Sequence, residues 1–234
     1  MGNGTTFHVG TSGFSYDEWR PDFYPEDLKK TAMLSFYAER LLAVELNNTF
    51  YRMPSEKAVT TWREQVPDTF RFAIKASKRF TWSNKLKDCG ELLEYLFKVL
   101  TPLEDRLGCV FYQVPKYVRC DLAVLRQFLS EQQQGIKTAF EFAHDSWQEP
   151  AAIELLHQHG ATVVGSDKDD APAPELSADA PWIYLRLRRS AYSDDELRAW
   201  RDRIRESGVS EAFVFFKHED SCAGPALARR FLEL

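Results

Sequence analysis

The sequence predicts a closed (β/α)8 barrel, with a loop or a degenerate helical layer between the sixth and seventh strands. Three observations predict it. Eight short apolar or alternating runs recur along the 234 residues, and amphipathic stretches with capping residues separate most of them. Neither GxGxxG nor GxxxxGK[ST] occurs, which removes the usual reason to prefer an open doubly wound sheet. A content of 44% hydrophobic and 14% aromatic residues is enough for one sizeable core. The net charge of −5 argues against coating nucleic acid or an anionic membrane by bulk electrostatics. The start lacks a basic and apolar leader, and no apolar run approaches the roughly 20 residues that span a bilayer. The chain therefore reads as soluble and cytoplasmic, without a membrane partner. Cys89, Cys109, Cys120 and Cys222 show no CxxC or zinc spacing and read as ordinary reduced thiols.

Strand one is Phe7–Gly13, alternating and ending in small residues; the aromatic loop behind it is broken by Pro21 and Pro25. A helix over Thr31–Leu42 leads into strand two at Val44, where Glu45, Asn47 and Thr49 share a polar file. Ser55 caps a helix running to Val66. Strand three, Phe70–Ala76, turns Phe70, Phe72 and Ile74 one way and Arg71, Ala73 and Lys75 the other. A helix over Asp88–Leu100 follows. Strand four, Gly108–Pro115, is nearly all apolar, as burial on both faces requires, until Gln113. Asp121 caps the next helix, and strand five, Thr138–His144, sets Glu141 and Ala143 opposite Phe140 and Phe142. Pro150 opens a helix to His159. Strand six, Ala161–Asp167, ends in a carboxylate, and 168–181 is rich in Ala, Asp and Pro. Strand seven, Trp182–Arg188, aligns Tyr184, Arg186 and Arg188. Ser193 with Glu196 forms a capping box, strand eight is Ala212–His218, and a terminal helix holds Leu227, Phe231 and Leu232.

In such barrels ligands bind at the carboxyl ends of the strands. The polar residues predicted there are Ser12, Glu45, Asn47, Lys75, Gln113, Glu141, His144, Asp167, Arg186 and Arg188, with one of Lys217 and His218 facing inward. Three carboxylates against four Lys or Arg make a slightly cationic mouth. That suits a small anionic ligand bearing a carboxylate or phosphate. Glu45 or Glu141 is the candidate general base, and Lys75 the candidate proton donor or nucleophile. A closed ion-pair network with only a structural role has the same sequence pattern. Trp147, with Tyr16, Trp19 and Trp82, falls in loops where a ring could stack on a sugar or base. His8 is expected at the opposite end of the barrel. No metal site is favoured: His157 and His159 face different ways on their helix, although His144 with the carboxylates leaves one divalent ion open. Ser12, His144 and Asp167 can be drawn as a triad, without a GxSxG elbow.

The ordered motifs GTSGFSYDEW, VELNNTFYRMP, FRFAIKA, a strand ending in QVP, EFAHDSW and YLRLRRSAY resemble the YecE-like family, a domain of unknown function. The resemblance spans nearly the whole chain and implies a single TIM-like barrel domain over residues 1–234. It implies no reaction. The sequence departs from the family pattern at Ala143, where an inward Arg is usual, and at Arg188 and Arg189, which stand for His-Gly. Arg188 is expected to replace the missing cation beside Glu141. Three readings follow: a barrel binding or transforming a small anionic ligand, a metal-dependent nucleic-acid phosphodiesterase or binder, and a non-catalytic interaction module. Substrate and oligomeric state lie beyond the sequence.

Overall fold

The computed structural model describes residues 4–177, 179–217 and 222–234. Eight parallel strands close into a barrel in chain order. They are β1 Thr6–Ser12, β2 Ala43–Leu46, β3 Arg71–Lys75, β4 Leu107–Val114, β5 Thr138–Phe142, β6 Thr162–Asp167, β7 Ile183–Leu187 and β8 Glu211–Phe216. Closure is made by β1 against β8, in register from Thr6 opposite Glu211 to Thr11 opposite Phe216. Around them lie α1 Met33–Ala38, α2 Glu56–Glu64, α3 Gly90–Leu100, α4 Leu122–Ser130, α5 Pro150–Gln158, α6 Asp194–Glu206 and α7 Ala223–Glu233.

The alternation of the strands sorts their side chains into two cores. Phe72 and Ile74 join the larger one, between strands and helices, whereas Ala73 joins the smaller one inside the barrel. The inner core is filled by Cys109, Phe111, Tyr184, Phe213 and Phe215, so the barrel is a packed body rather than a channel. The caps fall where the sequence places them. Ser55 accepts from the Ala58 amide, Asp121 from Ala123 and Val124, and Ser193 and Glu196 close a reciprocal capping box.

Two elements differ from the expectation. The helix predicted over Thr31–Leu42 is helical only to Ala38, and β2 stops at Leu46. Asn47 there takes a right-handed helical conformation and starts a 3-10 turn over Asn48–Phe50. Paired Asn side chains favour such local turns over an extended backbone. Thr49 therefore leaves the inward file, and its hydroxyl donates to the carbonyls of Leu46 (2.9 Å) and Lys75 (2.7 Å). The connection between β6 and β7 holds no helix among the described residues. Leu176 packs against the core instead, and Arg203 Nη2 donates to the Pro174 carbonyl at 2.8 Å.

Candidate functional site

At the carboxyl end of the barrel, five strands contribute to one polar cluster. Glu45, on β2, is fully buried between small Ala43 and the mouth. Its Oε1 accepts from Ser12 Oγ (2.9 Å), Asn47 Nδ2 (2.8 Å) and Arg186 Nη2 (2.9 Å). Its Oε2 accepts from the Tyr184 hydroxyl at 2.7 Å. Burial opposes its ionisation, but the Arg186 charge and these donors outweigh it and hold the carboxyl down at about 2. Arg186, two residues beyond Tyr184 on β7, spans from Glu45 to Glu141, whose oxygens lie 3.2 and 3.3 Å from Nη1. Gln113 Nε2 donates to Glu141 Oε2 at 2.7 Å, and the Glu141 side chain keeps 16% exposure. The two carboxylates and one guanidinium form a chain anchored from β1, β2, β4, β5 and β7.

Lys75 stands apart from that chain. Its ammonium lies 4.5 Å from the centroid of Phe50 and 5.5 Å from that of Phe111. Only 9% of the residue is exposed, and among the described residues its ammonium makes no hydrogen bond or ion pair, the bond from the Thr49 hydroxyl being to its carbonyl. Burial pushes its pKa down, with Arg186 adding to the effect, while Glu45 and Glu141 pull upward and Arg188 presses down again. Ring faces stabilise a cation without neutralising it, so the ammonium is solvated by quadrupoles and faces two neighbouring guanidinium groups.

The structure thus brings Ser12, Glu45, Asn47, Gln113, Glu141 and Arg186 into one bonded set, with Lys75 and the Arg188 charge close to it. It separates the others. Asp167 points outward under α6, where its carboxylate accepts from Tyr192 (3.0 Å) and the Trp200 indole (3.2 Å). In β6 it is Thr162 and Val164 that line the inside, so parity sends Ser166 inward and Asp167 away. His144 caps a turn, its Nδ1 accepting from the Ser146 amide at 3.0 Å. Trp147 is buried: its ring stacks on Phe142 at 4.3 Å, and its indole donates to the Val118 carbonyl. It offers no face to a ligand. The Ser12, His144 and Asp167 triad does not form, because each member is bonded elsewhere. Arg186 supplies a cation beside Glu141. Glu45, with four donors and no exposure, anchors Arg186 and is closed to proton exchange with a ligand. Lys217 follows Phe213 and Phe215 on the inward parity of β8, and His218 lies outside the described residues.

Sequence reasoning missed Tyr184 and the Phe50–Phe111 cradle. Tyr184 lies two residues before Arg186 on the same file, a signal that was available. The cradle depends on the early end of β2, which alternation does not mark. No group of three or more His, Cys, Asp or Glu side chains suited to a metal occurs among the described residues. A cavity of about 610 Å³ opens at the other end of the barrel, lined partly by Lys137 and Glu211. There Glu211 is bonded by His8 Nε2 and Lys137 Nζ, both at 2.8 Å. His8 is accordingly at the end predicted for it.

These features define the class: a (β/α)8 barrel whose carboxyl-end mouth holds a buried, multi-strand ion network. The chain belongs to the family described as "Protein of unknown function DUF72", whose profile matches residues 8–234. It is similar to the UPF0759 protein YecE of Escherichia coli (strain K12), 28% identical over 153 residues, 63% of this chain and 56% of that protein. The UPF0759 protein YunF of Bacillus subtilis (strain 168) is likewise 28% identical, over 63% of this chain and 54% of its own. The matched stretch thus spans little more than half the length of these curated relatives. Among solved structures, a DUF72 family protein of Thermotoga maritima MSB8 superposes with a TM-score of 0.78 at 27% identity, covering 97% of both chains. A DUF72 family protein of Enterococcus faecalis V583 gives 0.76 at 18% identity over 99% of both, a likeness of fold. No helix among the described residues is long and apolar enough to cross a membrane.

Proposed function

We propose that the mouth of this barrel binds, and by proton transfer transforms, a small anionic ligand bearing phosphate or carboxylate. The observation that carries this reading is Lys75, a buried ammonium with ring contacts and no counter-charge bonded to it. An uncompensated buried charge is costly, and an anion entering the mouth removes that cost. The balance of charge agrees. With Asp167 turned away, Glu45 and Glu141 face Lys75, Arg186 and Arg188. Arg186 is already engaged by both carboxylates and serves as a positioning residue, with Glu45 behind it. Glu141, partly exposed, is the proton acceptor in this reading, and Lys75 binds the anion or donates a proton.

Thermal unfolding with inorganic phosphate and a panel of phosphorylated metabolites tests it. A ligand of the native state raises the melting temperature. The wild-type chain is expected to be stabilised, Lys75→Met to lose the effect, and Lys75→Arg to keep part of it. Equal stabilisation of wild type and Lys75→Met would remove the mouth from consideration.

A further inference from the structure

Three consecutive loops on the carboxyl face of the barrel carry charge of one sign. Residues 47–54, 76–87 and 115–120, behind β2, β3 and β4, contain Arg52, Lys78, Arg79, Lys85, Lys87, Lys116 and Arg119, and no Asp or Glu. Asp88 and Asp121 come only where the loops give way to α3 and α4. All seven cations are exposed, and among the described residues none of them makes an ion pair. Elsewhere the surface is laced with such pairs, among them Arg63–Glu104, Arg189–Glu196 and Arg198–Asp195. In a chain of net charge −5, this is a strong local segregation.

Rings are interleaved with the cations. Tyr51 is 75% exposed, Tyr117 57% and Trp82 42%. They form a row across all three loops: Tyr51 meets Phe50 at 5.2 Å, Phe50 meets Trp82 at 5.7 Å, and Trp82 meets Tyr117 at 6.4 Å. The Tyr117 hydroxyl donates to the Trp82 carbonyl at 2.9 Å and ties the third loop to the second. Lys78 Nζ lies 5.8 Å from the Tyr51 ring, and Lys85 Nζ 5.9 Å from the Tyr117 ring.

We propose that this row of rings and cations is a docking surface for single-stranded nucleic acid. A single strand presents stackable bases and a regular series of phosphates, and surfaces that bind it combine aromatic platforms with basic tracks. A duplex keeps its bases paired inside and has no use for the rings. A lipid surface calls for an apolar face that sinks toward the acyl chains, whereas Phe50, Leu86 and Val118 of these loops are buried and two of the three exposed rings end in a hydroxyl. An acidic peptide would be served by the cations alone. The surface shares only buried Phe50 with the Lys75 cradle; its exposed rings and cations lie outside that cradle, and it does not depend on the ligand proposed for it.

Fluorescence anisotropy with a labelled oligothymidylate about 12 nucleotides long tests the assignment. Binding is expected to weaken as salt rises, and to be tighter than for a duplex of equal length. Tyr51→Ala and Tyr117→Ala should each weaken it about tenfold, by loss of one stacked base, while Tyr117→Phe stays close to wild type. Lys78→Glu with Lys85→Glu should weaken it further. Circular dichroism of each variant checks that the barrel is intact, and Tyr117→Ala should keep the Lys75-dependent stabilisation by phosphate, so the two sites stand or fall separately. Absence of binding by the wild-type chain overturns the proposal, as does equal affinity for duplex, or ring variants that bind like wild type. Tighter, ring-dependent binding to phosphatidylserine vesicles or to polyglutamate would assign the surface to another partner and overturn it equally.

Discussion

At the scale of single residues, the mouth divides its charged groups into those that are held and one that is not. Glu45 is saturated by donors from Ser12, Asn47, Tyr184 and Arg186. Glu45→Gln is therefore expected to destabilise the fold by about 3–5 kcal/mol, because it strips a buried guanidinium of one of its two carboxylates. Adding Arg186→Met should recover part of that loss, so that the double variant is more stable than the sum of the singles requires. Urea denaturation of the two single variants and the double measures the coupling; strict additivity would show that the pair is not a unit. Alternation brought Glu45, Lys75, Glu141 and Arg186 to the right face before any coordinates, because each sits on a strand with apolar residues on alternate positions. Asp167 was misread because Ala161–Asp167 has no such alternation, and only its neighbours inside the barrel fix the parity. Trp147 was misread because composition does not say whether a ring in a loop faces solvent or folds back on Phe142.

At the scale of elements, the barrel wall is uneven. Six of the seven strand-to-strand crossovers contain an α-helix, whereas the β6–β7 connection has none among the described residues. Among the described residues it is tied by Leu176 against the core, by the bond from Arg203 of α6 to the Pro174 carbonyl, and by those from Ser190 to the Asp169 carboxylate. A loop held by so few contacts opens at low free energy. Arg203→Ala should raise the rate of limited proteolysis within 168–181 several-fold while leaving the far-ultraviolet circular dichroism unchanged. An unchanged cleavage pattern would mean that Leu176 and the Ser190–Asp169 bonds keep the loop down without Arg203. The weak helical pattern of this stretch was visible as its Ala, Asp and Pro content. The early end of β2 was not, since Asn47 and Asn48 fit either the end of a strand or the start of a turn, and their bonds to Glu45 and the following backbone decide it.

At the scale of the molecule, the barrel is pinned electrostatically at both ends. Glu45 at the mouth and Glu211 at the floor are each held at about 2, against an ordinary value of 4.5. For Glu211 the hydrogen bond from His8 is the main cause, with Lys137 beside it. A carboxyl whose folded pKa is depressed contributes stability that is complete above its unfolded value and disappears as pH falls toward the folded one. Acid unfolding is therefore expected to steepen below pH 4.5 and to run toward pH 2, with protons taken up at both ends. Glu211→Gln should flatten that slope, and Glu45→Gln should flatten it independently, as read from chemical denaturation at a series of pH values. A stability that is level across this window would contradict the pairing at both ends. Lys75 burdens the fold where the two carboxylates support it, but its pH dependence has the same sign. Its depressed pKa means that the unfolded chain holds the proton more tightly, so its burden on the fold eases as pH rises toward 10.5.

The aromatic filling of the barrel, with Phe111, Tyr184, Phe213 and Phe215 beneath the mouth, also governs traffic. A barrel with a solid floor can be entered only from its mouth. Whatever reaches Lys75 must leave by the route it entered, so a departing molecule and an arriving one compete for the same passage, and turnover there would be paced by vacancy as much as by chemistry.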